Sequence, residues 1–570
     1  MPITALTDAE IIARCQSGEL LDDIGRREAD IADPASLLNR CIALHNARQI
    51  DLLSLTKTAR FDSLGGSAFF ERQNFFYRAI PLLETTAPPL MEAVEALVSK
   101  GGNDLASNRP YEAFRNWCIA DLTRAHAIVA SARAGDPQAV AFVTFALTAL
   151  DDSALARSFA EDFSDKRRLS ALFALGRIKP VDLMDAENTV GVLLPFVDPS
   201  NDEAPRCNAL MSLLETCKRF PDLGPVWVPK AIAAATVTPT PGLLFNMARA
   251  IWDYIELFDR TSLERALNAL KATDPAMEGI IKQIDIALEK ILATSNEDLA
   301  QDFLTEVIAS GNGVDLEKFP STKHNIANGD RGRLFKLLVR WLTSGDSNLE
   351  ASSPKILSTG EPPIPFDTST ADLGLSEPDH IFLVHKAVGW LFMNNVAAAS
   401  ILVACLRGCD AATAAVISGL LFDPLLVNYG GKARDYLHTI KSGDVAYQSV
   451  KKALNAADIF LKGLRIDPPI KELRPSEQQL SVMRRHDYDW MRGVRKDAEK
   501  RSIFFGLVHR SIILYGRRSI TFVREPDGRR RAVSMDMHSF SHAIELPRSE
   551  IVDPVGLSIA ILSLRSASRK

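Results

Sequence analysis

The sequence predicts a mainly α-helical protein: an irregular α-solenoid of antiparallel helical pairs, closed by a long helix plus β-hairpin module. Three observations carry this. Apolar residues recur at helical spacing from Arg109 to about residue 465, broken by short turns at Asp, Ser, Gly and Pro. No alternating, strand-like pattern separates these segments. From Ser476 onward the chain turns basic, and past Gly516 the period changes from helical to extended.

At 570 residues the chain exceeds one ordinary core, so it should form several domains or one extended array. Apolar content of 46% with 24% charged residues matches a folded chain. The net charge of −5 conceals an asymmetry. Residues 471–531 hold sixteen Lys/Arg against eight Asp/Glu, whereas residues 1–470 hold forty-six against fifty-nine. An acidic body thus carries a basic C-terminal element, which either neutralises that body or faces a partner. Seven cysteines, odd in number and without a CxxC pair, argue for free thiols in a reducing compartment, hence a cytoplasmic protein. Met1–Leu20 lacks the basic start and apolar run of a signal peptide. Ala387–Leu406 is uncharged and long enough to span a bilayer, but the Asn394-Asn395 pair and several alanines favour buried helices over a membrane span.

The N-terminal helical region, 1–108, shows start signals at Thr7–Glu10, a capping box, and at Asp33-Pro34. Its aromatic group, Phe69, Phe70, Phe75, Phe76 and Tyr77 among Arg72, Gln73 and Arg78, reads as core, with a base-stacking platform as the sharper alternative. Residues 109–345 form the helical-repeat array, opening with a helix from Tyr111 to Ala134 that ends at Gly135. Turns of two to six residues between helices place neighbours antiparallel. The spacing and the Gly135-Asp136-Pro137 junction resemble HEAT or armadillo-like arrays over residues 110–465. That resemblance implies an architecture and no particular family, because no fixed period aligns.

Residues 346–379 hold five prolines among Ser, Gly and Thr and read as a linker or long loop. A second helical region covers 380–465, and 466–570 hold the basic module. There Ser476 and Gln479 form a capping box, the helix is expected to run to Tyr515 with Gly516 as its left-handed end, and Pro526-Asp527-Gly528 turns a hairpin over Ser519–Leu546. An apolar helix, Asp553–Ser568, should pack down the C-terminus.

No motif of catalysis is legible. Gly430-Gly431-Lys432 lacks the upstream glycine and Ser/Thr of a phosphate loop, and no GxSxG, HExxH or GxGxxG is present. His380 and His385 are five apart and so fall on different helix faces. Asp536, His538 and His542 have strand spacing, but the apolar phase slips between Met537 and Phe540, which puts the two histidines on opposite faces. No cofactor or metal is therefore expected.

The candidate partner-binding residues are electrostatic. Arg492, Arg495, Lys496 and Lys500 follow one helical stripe, Arg517 and Arg518 follow the expected helix end, and Arg529, Arg530 and Arg531 sit at the hairpin. Asp487, Asp489, Asp497 and Glu499 are available to pair with the helical cations and leave a merely solvated face. The first functional expectation is a non-enzymatic scaffold or adaptor whose array binds a protein partner and whose basic module docks a second. The alternative is a nucleic-acid-binding accessory factor using the arginine-rich helix and hairpin. Helical-repeat accessory proteins of this size occur in bacterial multi-gene systems, including anti-phage ones, which is analogy only. An enzyme with a dispersed site is the third expectation.

Overall fold

The computed structural model describes residues 6–24, 33, 35–102, 108–359, 364–464, 475–501, 511–513, 518–524, 530–536 and 545–569. The protein is mainly helical and divides into two compact units. The first is Met1–Gly329 with Ser358–Glu361, and the second is Asp330–Leu357 with Pro362–Lys570.

The first unit opens with α1 (Asp8–Ser17), α2 (Leu37–Asn46), α3 (Gly66–Ala79) and α4 (Ala87–Gly101). The Thr7–Glu10 capping box forms at α1. At α2 the cap is Ser36, which accepts from the Asn39 amide, rather than Asp33. Phe69, Phe75 and Phe76 are buried in this region, so these rings serve as core. Then follow α5 (Arg109–Ala120), α6 (Leu122–Arg133), α7 (Pro137–Leu150), α8 (Ser153–Asp162), α9 (Lys166–Leu175) and α10 (Leu183–Val197). The series continues with α11 (Glu203–Arg219), α12 (Gly224–Ala235), α13 (Pro241–Tyr254) and α14 (Arg260–Leu270). It ends with α15 (Glu278–Leu292), α16 (Glu297–Ala309) and α17 (Pro320–Asn328).

The expected single helix over Tyr111–Ala134 is two helices. Asp121 breaks it, adopting an extended backbone and capping α6 through the Thr123 amide. The same device recurs: Asp136, Asp152, Asp165, Asp182 and Asp259 each accept an amide of the helix they open. Each such cap satisfies an orphan N–H beside the positive end of the helix dipole and contributes about 1 kcal/mol. Part of the acidic excess of residues 1–470 is thus spent on starting helices.

Packing follows an alternating rule. Each odd-numbered helix from α3 to α17 packs on the next odd one, and from α8 to α16 each even helix packs on the next even one. Sequence neighbours such as α6–α7, α8–α9 and α10–α11 join the two layers. The seam is filled by fully buried side chains including Phe114, Trp117, Phe142, Phe159 and Phe303. Trp117 donates its indole N–H to the Leu83 carbonyl at 2.9 Å, so its polar atom is satisfied inside the core. Close approach of α9 and α11 depends on Gly176. A Cβ there would lie 2.5 Å from Ser212 Oγ and 2.9 Å from Ser212 Cα. Gly176→Ala should cost about 1–3 kcal/mol through overpacking, read as a lower denaturation midpoint.

The second unit contains α18 (Arg331–Leu342), α19 (Ser347–Leu357), α20 (Glu377–Leu391), α21 (Asn395–Leu406), α22 (Ala411–Leu420), α23 (Lys432–His438) and α24 (Tyr447–Gly463). The stretch read as linker from residue 346 begins with α19, despite Pro354 inside it. Leu349, Ile356 and Leu357 are buried where α19 packs on α18 and α20, which outweighs the one missing amide. The uncharged run Ala387–Leu406 is split between α20 and α21. Every residue of α21 except Val396 is buried. No helix among the described residues is long and apolar enough to cross a membrane.

The unit ends with α25 (Glu477–Arg501), strands β1 (Ser511–Ile513), β2 (Arg518–Arg524) and β3 (Arg530–Asp536), and α26 (Pro554–Arg565), which packs on α20. Ser476 and Gln479 form their reciprocal capping bonds. The long helix is described over Glu477–Arg501 and does not run on to Tyr515. Ser511–Ile513 instead pair antiparallel with Thr521–Ser519, and β2 pairs with β3. β-branched Ile512 and Ile513 suit a pleated pairing better than a helix end. Gly516 and the turn Pro526-Asp527-Gly528 lie outside the described residues.

Two half-buried or buried histidines make the fold sensitive to acid. Leu52 donates its amide to His45 Nδ1 at 3.1 Å, and burial holds His45 below its ordinary value of 6.5. Burial does the same to His385. Unfolded chains therefore bind more protons than folded ones once the pH drops below that value. Stability is expected to be full above about pH 6.5 and to decline as the pH falls through it, measured as denaturation midpoint against pH.

Candidate binding groove on the first unit

Of the cations singled out in the sequence, four lie on α25 and three on the strands. Arg492 and Lys496 are exposed on α25, and Arg495 and Lys500 belong to the same helix. Strand β1 lies between α25 and Arg518, which opens β2 in register with Asp536 of β3. Arg530 and Arg531 stand opposite Arg524 and Val523. Arg517, Arg529, His538 and His542 lie outside the described residues. Gly431 and Lys432 donate their amides to the Glu545 carboxylate, so the Gly-Gly-Lys turn is capped from within the chain. His380 is buried and satisfied, with Nε2 at 3.0 Å from Thr370 Oγ1 and Nδ1 at 3.0 Å from the Ser376 carbonyl. No group of three potential metal ligands occurs among the described residues. The cysteines are free, and burial pushes the Cys41, Cys118 and Cys217 thiols up to about 12, which leaves them as small apolar groups.

A different site emerges on the odd-numbered layer of the first unit. Two adjoining chambers, of about 650 and 400 Å³, run across α5, α7, α9, α11 and α13. The larger is walled mostly by apolar surface. Tyr111 stacks on Phe145 with centroids 4.6 Å apart and planes 11° from parallel. Thr144 and Thr148 form its floor. The smaller chamber is more polar, with Asn208, Asn246, Glu215 and Arg249 in its wall. Phe173, Arg177 and Arg219 line both and form the divide.

The divide is built from the end of α9. Arg219, the last residue of α11, donates to the carbonyls of Ile178 and Gly176 at 2.8 and 3.0 Å, and to Glu215 at 3.0 Å. It thereby satisfies the carbonyls that α9 leaves without partners. Glu215 also accepts from the Tyr254 hydroxyl at 2.8 Å, and burial together with that carboxylate raises the Tyr254 pKa, keeping the phenol protonated. Arg115 donates to the Thr148 carbonyl at 3.3 Å, and Arg249 pairs with Asp253 at 3.1 Å.

Arg177 differs from these. Its guanidinium lies 3.6 Å from the Phe173 ring centroid and makes no hydrogen bond or ion pair among the described residues. Phe173 itself is 37% exposed, so its ring faces the groove. Arg177 is exposed as a residue even though the Phe173 ring packs against its guanidinium. Burial is the main cause that lowers its pKa; Arg249, Arg115 and Arg219 lower it further, and Glu215 opposes them. Chemically the groove offers flat apolar walls beside a guanidinium with no direct ion pair among the described residues. Nothing in it resembles a nucleophile–base pair: Glu215 is already engaged by Arg219 and Tyr254.

These residues were missed in the sequence because they lie on helices two apart. No family model matches the chain, and no curated protein or solved structure is significantly similar to it.

Proposed function

We propose that the chain is a non-enzymatic scaffold that binds a protein partner through the first unit, an irregular α-solenoid of HEAT-like helical pairs. The observation that carries this is the groove across five successive odd-numbered helices, walled by rings and arginines. Repeated stacking lays such side chains out in a row, so an extended partner can engage several helices at once. Tyr and Arg are also the side chains that most often dominate protein interfaces. In this reading the basic module, α25 with the strands, docks a second partner, and buried free thiols suit a reducing, cytoplasmic compartment.

Affinity capture with the full chain tests the reading. A protein recovered by wild type and lost with Phe173→Ala supports it; an identical set of captured proteins for both chains contradicts it. The nucleic-acid reading is favoured by one observation, the exposed cations Arg484, Arg485, Arg492 and Lys496 along α25. It requires binding to generic DNA or RNA that weakens steeply between low and physiological salt.

A further inference from the structure

We infer that the groove selects an acidic segment of its partner: a flat or apolar side chain enters the chamber of Tyr111 and Phe145, and a neighbouring carboxylate meets Arg177. This rests on the protein-binding reading above and adds the chemistry of the bound segment.

Two features of the geometry require both halves of such a ligand. The chambers are unlike, one apolar and one polar, and they meet at Arg177, so an occupant spanning them changes character at that point. Arg115, Arg219 and Arg249 have direct hydrogen-bond or ion-pair partners within the fold, whereas among the described residues the Arg177 guanidinium has the face of Phe173 and no such bond. A planar guanidinium backed by a ring presents its remaining N–H groups as a fork, which a carboxylate fits with two hydrogen bonds. The depressed pKa of Arg177 agrees: burial is its main cause, Arg249, Arg115 and Arg219 add to it against Glu215, and an incoming anion would offset all of these.

The acidic residues of the groove decide between a peptide and a phosphate chain. Glu112 lies exposed on the wall of the apolar chamber and Glu215 in the polar one. A nucleic-acid strand, charged at every nucleotide, would pass one or both carboxylates. A peptide carries its charges where side chains place them and can set a neutral residue opposite Glu112. Asn208 and Asn246 in the polar chamber donate to the Leu169 and Gly242 carbonyls, which fixes their amides, and each carries an amide oxygen able to accept from a peptide N–H.

The test is selection of a random peptide library displayed on phage against the full chain, followed by affinity measurements on a synthetic representative. The expected result is enrichment of sequences in which Asp or Glu adjoins Phe, Tyr, Trp or Leu. The representative should lose roughly ten- to hundredfold in affinity on Arg177→Glu, less on Arg177→Lys, and should weaken as salt rises. Circular dichroism of each variant confirms that it is folded. Neutral or basic sequences that still depend on Phe173 would overturn the acidic segment and leave protein binding intact. Enrichment indifferent to both Arg177 and Phe173, or no enrichment, would overturn both. Displacement of the peptide by inorganic phosphate or ATP, itself sensitive to Arg177→Glu, would assign the arginine to phosphate and overturn the inference.

Discussion

Replacing Lys386 by alanine is expected to destabilise the second unit by roughly 3–5 kcal/mol, the cost typical of breaking a buried ion pair from one side. Lys386 and Glu350 are 8% and 4% exposed at their side chains and meet at 3.0 Å. Glu350 Oε2 also accepts the Trp390 indole N–H at 3.0 Å, while its Oε1 is buried with no partner among the described residues. Lys386 further donates to the carbonyl of Arg565, whose guanidinium lies over Trp390 and donates to the Gly389 carbonyl at 2.7 Å. One ammonium thus joins α19, α20 and the end of α26. Without it a carboxylate stays buried uncompensated and the C-terminal helix loses an anchor. The partner experiment sharpens the cause. Replacing both Lys386 and Glu350 by methionine should recover much of the loss, because an apolar pair removes the stranded charge. Urea denaturation of single and double variants checks this; a double variant as unstable as Lys386→Ala would show that packing, not charge, is at stake.

In the first unit the largest effect is expected at Arg206, an arginine 2% exposed. Its Nε donates to the Val197 carbonyl at 3.1 Å and its Nη1 to the Thr238 carbonyl at 2.9 Å. It therefore ties the end of α10 to the turn between α12 and α13, a contact across the even-numbered layer. No carboxylate pairs with it directly; Asp198 and Glu203 lie within its field, and Nη2 has no partner among the described residues. Arg206→Ala leaves two carbonyls unbonded and a cavity, which together should cost roughly 3–5 kcal/mol. Arg206→Lys keeps the charge but cannot reach both carbonyls with one fork, so it should fall between the two. Thermal or urea unfolding followed on the first unit's tryptophans reads the difference.

What was legible in the sequence was local. Thr7 with Glu10, Ser476 with Gln479, and Asp136 before Pro137 announce helix starts, because a cap is a contact between residues two or three apart. The break at Asp121 was not legible, since the apolar period runs through it and an aspartate is as common on a solvated face as at a cap. The end of the long helix was misjudged for a related reason. Phe505, Val508 and Ile512 continue a helical spacing, yet Ser511–Ile513 pair with β2, and pairing partners are invisible to periodicity. The groove was out of reach altogether. Tyr111 and Phe145, or Arg177 and Arg219, meet only because alternate helices stack, and a chain with irregular helix lengths gives no period from which to read that. The clustering of charge at residues 471–531 was plain to see, but a count of arginines does not show which of them lacks a counter-ion. Arg177, outside that stretch, has no direct ion pair among the described residues.

In the proposed function a partner is held on the odd-numbered face of the first unit. Hydrogen–deuterium exchange of the full chain with and without a selected acidic peptide addresses that face most directly. Protection should concentrate at the ends of α9 and α11, around Phe173–Arg177 and Glu215–Arg219, with lesser protection in α5 and α13. Protection confined to the even-numbered helices α8 to α16, or to residues 477–536, would contradict it.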